Sequence, residues 1–155
     1  MLSWLDLIAL LVFATAIALG IRQGVPFVLA VVPALVLYVL LAPLFPAMVL
    51  PVLALALGIG MASLTHYIPL PRLSPPLEAV LGGVGGFLWG TFLALTIWVS
   101  FPSEYVASSG IQRYPSEQLQ VTIRDGIINS PFARPLFSWA SESPILKAAL
   151  LPHEK

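Results

Sequence analysis

The chain has 155 residues, of which 59% are hydrophobic and only 9% are charged, and its formal net charge is zero. Because a soluble domain normally carries about 25% charged residues, this composition excludes an ordinary soluble enzyme and indicates an integral membrane protein. The balanced charge provides no polybasic patch, so nucleic acid is not an expected partner.

The charged residues are concentrated in the last third of the chain. Ten of the fourteen lie in residues 103–155, and the first 102 residues contain only four: Asp6, Arg22, Arg72 and Glu78. We therefore expect residues 1–102 to form a membrane domain in contact with the lipid bilayer, and residues 103–155 to form a polar C-terminal tail.

The first predicted span covers residues 4–21. Its start contains the acidic Asp6 and no basic residue, which is atypical of a secretory signal peptide, so we expect a retained helix. Ser3 followed by Asp6 predicts a capping-box-like start, in which the hydroxyl and the carboxylate satisfy free amide groups of the first turn.

The second and third spans are predicted in the 49 uncharged residues that follow Arg22. This stretch is too long for one membrane-crossing helix of about 20 residues. Pro43 and Pro46 terminate helices, so they divide the stretch into spans at residues 26–41 and 47–65.

The fourth span is predicted at residues 79–101, which contain no charge. Its small residues recur every four positions and form one helix face: Gly82, Gly86, Gly90 and Ala94. Such a face lets another helix approach closely, so that dispersion contacts replace the hydrophobic driving force that is absent in lipid. The expected partner is a weaker row in the third span, Ala54, Gly58 and Ala62. Packing within one bundle and a glycine-lined interface or pore between copies both agree with this spacing.

The first half of the tail allows two interpretations. Residues 119–124 alternate apolar with polar positions and precede Asp125-Gly126, a pattern typical of a strand and a turn. A lone strand is marginal in water, so a helix over residues 116–128 competes with it.

The second half of the tail predicts a short amphipathic helix that starts at Ser130-Pro131. One side of this helix is apolar: Phe132, Leu136 and Ala140, with Trp139 adjacent. Such a helix is suited to lying on the membrane surface or to docking on the bundle. Together these segments predict an all-α polytopic membrane protein, with four transmembrane helices and a short amphipathic tail.

Three ionisable residues lie near the predicted span ends: Asp6, Arg22 and Glu78. Ionisable residues at membrane depth are candidates for proton or ion handling, whereas residues at helix ends can also anchor or cap the helix. Both interpretations stay open for these three residues.

No pattern in the sequence predicts catalysis. The chain contains no Gly-x-Ser-x-Gly, no His-Glu-x-x-His and no phosphate-binding Gly-x-x-x-x-Gly-Lys. It has no cysteine, and His66 and His153 are 87 positions apart, which argues against a metal site. We therefore predict a non-enzymatic protein without a catalytic residue, metal or cofactor.

Positive charge in the short loops predicts the orientation in the membrane. Arg22 and Arg72 fall in the first and third loops, which share one side, and the second loop is uncharged. Because basic short loops stay in the cytoplasm, both termini are expected on the non-cytoplasmic side.

Four segments in order resemble the colicin V production protein family of bacterial inner-membrane proteins. They are Trp4–Ile8, Gly20–Gly24, the Leu-Gly-x3-Gly-x3-Gly run of residues 81–90, and the Ser-Pro-containing segment Ile128–Leu136. The chain departs from the family where Glu78-Ala79 replaces an Asp-Arg pair and where Trp89 replaces an arginine.

The resemblance implies an inner-membrane protein of four spans that supports toxin production or export, or envelope homeostasis. Such a protein would act through an unidentified membrane or envelope protein partner. A small oligomeric channel or transporter, built from copies of this chain around the glycine-rich fourth helix, is the alternative.

Overall fold

The computed structural model describes residues 2–65, 67, 73–106 and 111–152. Four helices in this part of the chain are long and apolar enough to cross a membrane, which confirms the all-α, polytopic prediction. They are α1 (Trp4–Gln23), α2 (Val25–Leu41), α3 (Leu50–Thr65) and α4 (Pro75–Val99), with single 3-10 turns at Ala42–Leu44 and Ala47–Val49 between α2 and α3. Arg72, His66 and His153 lie outside the described residues.

Local chemistry sets the helix ends. Gly24 separates α1 from α2 and has a φ of 69°, a left-handed conformation that glycine adopts without strain. The fourth helix starts at Pro75, four residues before the predicted start at residue 79. Pro75 and Pro76 fit the first turn of the helix, where their missing N–H groups need no partner. Ser74 is the residue that precedes this turn.

The fourth helix is the centre of the bundle. It packs along α1 on one side and against α2 and α3 on the other, and α2 and α3 pack against each other as a hairpin. The core between α2, α3 and α4 is made of aromatic and small side chains: Phe27, Ala30, Ala34, Tyr38, Ala54, Ala62, Trp89 and Leu93.

The outward faces of the four helices are apolar. Leu11, Val32, Leu40 and Val52 are each more than 60% exposed, although they belong to long apolar helices. Faces of this kind are stable in contact with lipid and not with water, so the exposed aliphatic surface is the lipid-facing surface of a membrane protein.

In the part of the tail that the structure describes, a short antiparallel hairpin is followed by three helices. The hairpin pairs β1 (Glu104–Val106) with β2 (Ile111–Arg113), and the helices are α5 (Val121–Ile128), α6 (Ala133–Glu142) and α7 (Pro144–Leu150). Of the two alternatives, the strand at residues 119–124 is wrong and the helix is confirmed over Val121–Ile128, although residues 116–120 of the predicted range are not helical. A helix satisfies its own backbone groups, whereas a strand here would need a partner strand.

The buried side of α6 agrees with the predicted one in part, because Ala140 is buried and Leu136 packs partly against the same core. Ala133, Phe137 and Ala140 are buried, whereas Phe132 and Trp139 are exposed. The docked face is therefore shifted by one residue at its first two positions, with Ala133 and Phe137 in place of Phe132 and Leu136. Ala133 and Ala140 permit close contact on either side of the Phe137 ring.

The tail and one end of the bundle share a second core. Its buried members come from the spans and from the tail: Leu5, Val99, Tyr114, Leu119, Ile127, Ala133, Phe137, Ala140, Leu150 and Leu151. The tail is thus a cap packed on the end of the bundle where α1 begins and α4 finishes.

Candidate functional site at Asp6

Asp6 lies in the first turn of α1 and is fully buried, with 0% of its surface exposed. Its Oδ2 accepts hydrogen bonds from the backbone N–H of Ser3 at 2.7 Å and from the Ser3 hydroxyl at 3.0 Å. The Ser3 Oγ in turn accepts from the Asp6 N–H at 3.3 Å, which confirms the predicted capping box. One carboxylate oxygen therefore completes the first turn of the helix.

The other carboxylate oxygen joins α1 to two distant parts of the chain. Asp6 Oδ1 accepts from Trp98 Nε1 at 2.9 Å and from the Ser130 hydroxyl at 2.5 Å. Trp98 belongs to the last turn of α4, and Ser130 lies in the turn between α5 and α6. Each oxygen thus accepts two hydrogen bonds, and all four donors stabilise the ionised carboxylate.

Ser130 extends this network into the tail. Its Oγ accepts from the backbone N–H groups of Phe132 and Ala133 at 3.2 and 3.1 Å, so it satisfies free amides at the start of α6. The Phe132 ring lies 5.2 Å from the Trp98 ring, centroid to centroid. One buried carboxylate therefore positions the starts of α1 and α6 and the end of α4 together.

Trp4 holds α5 next to this network. Its Nε1 donates to the carbonyl oxygen of Thr122 at 3.3 Å. Its indole also lies over Gly126, where a Cβ would come within 2.6 Å of the same nitrogen. Gly126, interpreted from the sequence as part of a turn, is in fact the helical position that leaves room for the Trp4 ring.

Tyr114 connects the hairpin to α4 and α6. Its hydroxyl donates to the Trp98 carbonyl at 2.6 Å, and its ring stacks on Phe137 with a centroid distance of 3.9 Å and an interplanar angle of 5°. The tail is therefore attached at three points, where Ser130 meets Asp6, Thr122 meets Trp4 and Tyr114 meets Trp98. The bundle residue of each pair lies in the first turn of α1 or the last turn of α4.

Arg22 and Glu78 lie at the opposite end of the bundle from Asp6. Arg22 is exposed and makes no hydrogen bond or ion pair with any residue that the structure describes. The Glu78 Oε1 accepts from the Leu73 N–H at 3.1 Å, and its Cβ lies against Gly24, at the turn between α1 and α2. The structure does not bring the three predicted residues together: Asp6 is a buried junction, Glu78 is a helix-start acceptor, and Arg22 has no partner among the described residues.

The small-residue face of α4 packs against α1, so the partner expected from the sequence, α3, is wrong. A Cβ built on Gly82 would lie 2.0 Å from the Gly20 carbonyl oxygen, and one on Gly86 would lie 2.5 Å from the Ala16 carbonyl oxygen. Gly90 lies against Phe13 in the same way, and Ala94 is also buried. Backbone contacts of this closeness require that α4 carries no side chain at these glycine positions.

The small row of α3 accommodates a large side chain of α4. A Cβ on Gly58 would come within 2.1 Å of the Trp89 indole nitrogen, and Ala54 and Ala62 are buried in the same core. The two small-residue rows therefore serve different partners. The shapes of the helices determine these partners. The small residues of α1 lie against the α4 glycines, whereas the small row of α3 leaves space for the Trp89 ring.

Trp98, Ser130 and Tyr114 were not identified as site residues from the sequence. Ser130-Pro131 indicated a helix start, but no pattern in a single sequence links it to a carboxylate 124 positions away. Tryptophan near the end of a span is also a common interfacial anchor, so its position alone does not indicate a hydrogen bond to Asp6.

The arrangement at Asp6 is suited to holding elements together and not to proton transfer. Every acceptor direction of the carboxylate is used, and its donors, a backbone amide, an indole and two hydroxyls, are not bases. Within the described residues, no group of three or more His, Asp or Glu side chains is placed to bind a metal ion. No family model, curated protein or solved structure matches this chain.

Proposed function

We propose that this chain is a non-enzymatic bacterial inner-membrane protein that acts through a protein partner. Its role would be that of the colicin V production family, supporting toxin production or export, or envelope homeostasis. The observation that supports this function is the use of the Asp6 carboxylate. Its hydrogen bonds go to donors of its own chain, so it holds the tail as a cap of defined shape on the bundle.

The surface of the cap offers apolar side chains to a partner. Ile145 is 81% exposed and Trp139 is 52% exposed, although the tail shares a core with the end of the bundle. Exposed aromatic and aliphatic groups on an ordered surface are typical of protein contact sites. The partner surface on the cap is therefore centred on α6 and α7.

The orientation that accompanies this proposal has both termini on the non-cytoplasmic side. In its favour, Arg22 lies at the end of the bundle opposite to the start of α1 and the end of α4, as the positive-inside rule requires. A reporter fused after Lys155 tests it. A periplasmic signal is expected, and a cytoplasmic signal would reverse the orientation.

Crosslinking in cells tests the partner proposal. A photoreactive amino acid at Ile145 or Trp139 of the full-length chain is expected to yield a protein adduct of defined mass. The control position is Val32, on the lipid-facing side of α2, which is expected to yield none. The adduct should also disappear in an Asp6→Ala background and persist with Asp125→Ala, since Asp125 is an exposed acid on the same cap.

A cap that yields no adduct at either position would overturn the partner proposal. The channel alternative predicts a different result, namely flux through purified protein in liposomes that a bulky residue at Gly86 or Gly90 alters. We expect no flux, because α1 covers the glycine face and a second copy would have to displace it.

A further inference from the structure

An open groove runs along the bundle between α1 and α3. These two helices lie on different sides of α4 and are not packed along each other. The space between them is about 450 Å³, with Trp89 and Leu93 of α4 as its floor. Residues between Leu11 and Gln23 form one wall, and residues between Leu55 and Ser63 form the other. Both walls are membrane-spanning helices, so the groove opens to the bilayer.

The groove has the length of one leaflet. Gln23 follows Leu11 by 12 positions, and a rise of 1.5 Å per residue makes this wall about 18 Å long. The hydrocarbon core of a bilayer is about 30 Å thick, so one leaflet contributes about 15 Å. The groove therefore extends from the Gln23 end of α1 to about the middle of the membrane.

The polar groups of the groove that are not satisfied within their own helix are at its outer end. The Thr15 and Ser63 hydroxyls donate to carbonyls of their own helices, Leu11 at 2.7 Å and Ile59 at 2.8 Å, so the interior presents an apolar surface. At the outer end, the Oε1 of Gln23 is buried and has no hydrogen-bond partner among the residues that the structure describes. Arg22, the preceding residue in the chain, is exposed and has no hydrogen bond or ion pair with the described part of the chain.

A partner helix would not fit these features well. Helices that associate in membranes use small residues to approach closely, and both small-residue rows of the chain are already used inside the bundle. The groove is rimmed by large exposed side chains: Leu11, Leu19, Leu55 and Ile59. A transmembrane helix would also extend beyond a groove that covers one leaflet.

We propose that this groove binds one phospholipid of the leaflet on the Gln23 side. An acyl chain lies along Trp89 between α1 and α3, and the headgroup lies at the outer end. There the phosphate accepts hydrogen bonds from Arg22, and the Gln23 side chain turns outward so that its amide oxygen, buried in this structure, accepts from a headgroup N–H or O–H. Ethanolamine and glycerol headgroups carry such a donor and choline headgroups do not, so the site selects the first two.

Native mass spectrometry of the full-length chain, released from nanodiscs of mixed ethanolamine, glycerol and choline phospholipids, tests this site. The wild type is expected to retain one phospholipid per chain. The double variant Thr15→Phe and Ser63→Phe fills the groove and should lose it. The matched control is Ala14→Phe with Ala56→Phe, which adds the same rings at exposed positions of the same helices outside the groove. Equal lipid retention by the two double variants would overturn the proposal.

A single substitution tests the headgroup contact without filling the groove. Gln23→Leu should keep a bound lipid but lower the preference for ethanolamine and glycerol over choline by about 2- to 10-fold, the effect of one lost hydrogen bond. Gln118→Leu, at an exposed position of the tail, is the control. An unchanged preference would overturn the assigned headgroup position.

A photoreactive acyl chain locates the lipid directly. A phospholipid with a diazirine near the end of one chain should label groove residues such as Thr15 and Leu55 well above the lipid-facing Val32 and Val52. Even labelling around the bundle would contradict a specific site. A co-purifying peptide in place of lipid would assign the groove to a partner helix and overturn the proposal as well.

Discussion

The indole of Trp98 donates a 2.9 Å hydrogen bond to Oδ1 of Asp6, across 92 positions of sequence. This bond joins the last turn of α4 to the first turn of α1 at the end of the bundle that carries the tail. The same oxygen accepts from Ser130, so the bundle and its cap depend on one buried acceptor. An acceptor shared by several buried donors is costly to remove, because each donor is then left without a partner.

Asp6→Ala is expected to lower the free energy of unfolding by about 2–4 kcal/mol, since it leaves the Trp98 and Ser130 donors unsatisfied. The change should also release the tail, measured as faster proteolysis after residue 102 in detergent-solubilised protein. Asp125→Ala, which removes an exposed acid of the tail, should leave both quantities near wild type. Equal effects of the two substitutions would refute the role of Asp6 as a junction.

Gly86→Leu is expected to prevent folding, because even a Cβ at this position would lie 2.5 Å from the Ala16 carbonyl oxygen of α1. Size-exclusion chromatography should show aggregation or loss of the folded protein. Gly60→Leu is the matched control, since nothing lies within 4 Å of a Cβ built there. It should change stability by no more than about 0.5 kcal/mol. A folded Gly86→Leu protein that has only lost self-association would place the glycine face between copies instead.

Gly126→Ala is expected to loosen α5, because the new Cβ would lie 2.6 Å from Trp4 Nε1. Hydrogen exchange of the α5 amides should become faster, with an expected cost of about 1–3 kcal/mol from overpacking. Trp4→Phe removes the nitrogen that is too close, so the double variant should recover part of this loss. The coupling energy from the double-mutant cycle measures the contact, and a coupling of zero would show that the two residues act independently.

Tyr114→Phe is expected to lower the free energy of unfolding by about 1 kcal/mol, the usual value of one hydrogen bond. It removes the 2.6 Å bond to the Trp98 carbonyl and keeps the ring stacked on Phe137. Tyr105→Phe, at an exposed tyrosine of the same hairpin, is the control and should have no measurable effect. Chemical unfolding in detergent measures both, and equal stability of the two variants would mean that the Tyr114 hydroxyl contributes nothing.

The membrane spans followed from local properties of the sequence. Charge-free stretches bounded by Asp6, Arg22 and Glu78 have the lengths that hydrocarbon requires, and prolines mark their breaks. The Ser3–Asp6 capping box was also local, since its atoms belong to residues three positions apart. The fourth helix began earlier than expected because adjacent prolines suit a helix start as well as a loop.

The sequence by itself therefore determined the class of the protein, its four spans and the start of the first one, because length, apolarity and capping depend on neighbouring residues. Only the tertiary structure decided that the α4 glycines pack against α1 and that Asp6 also accepts hydrogen bonds from Trp98 and Ser130. It alone also showed the groove between α1 and α3. A row of small residues predicts a close contact but not its partner. The partner is set by the complementary shape of a helix that is distant in sequence, and no local pattern encodes that shape.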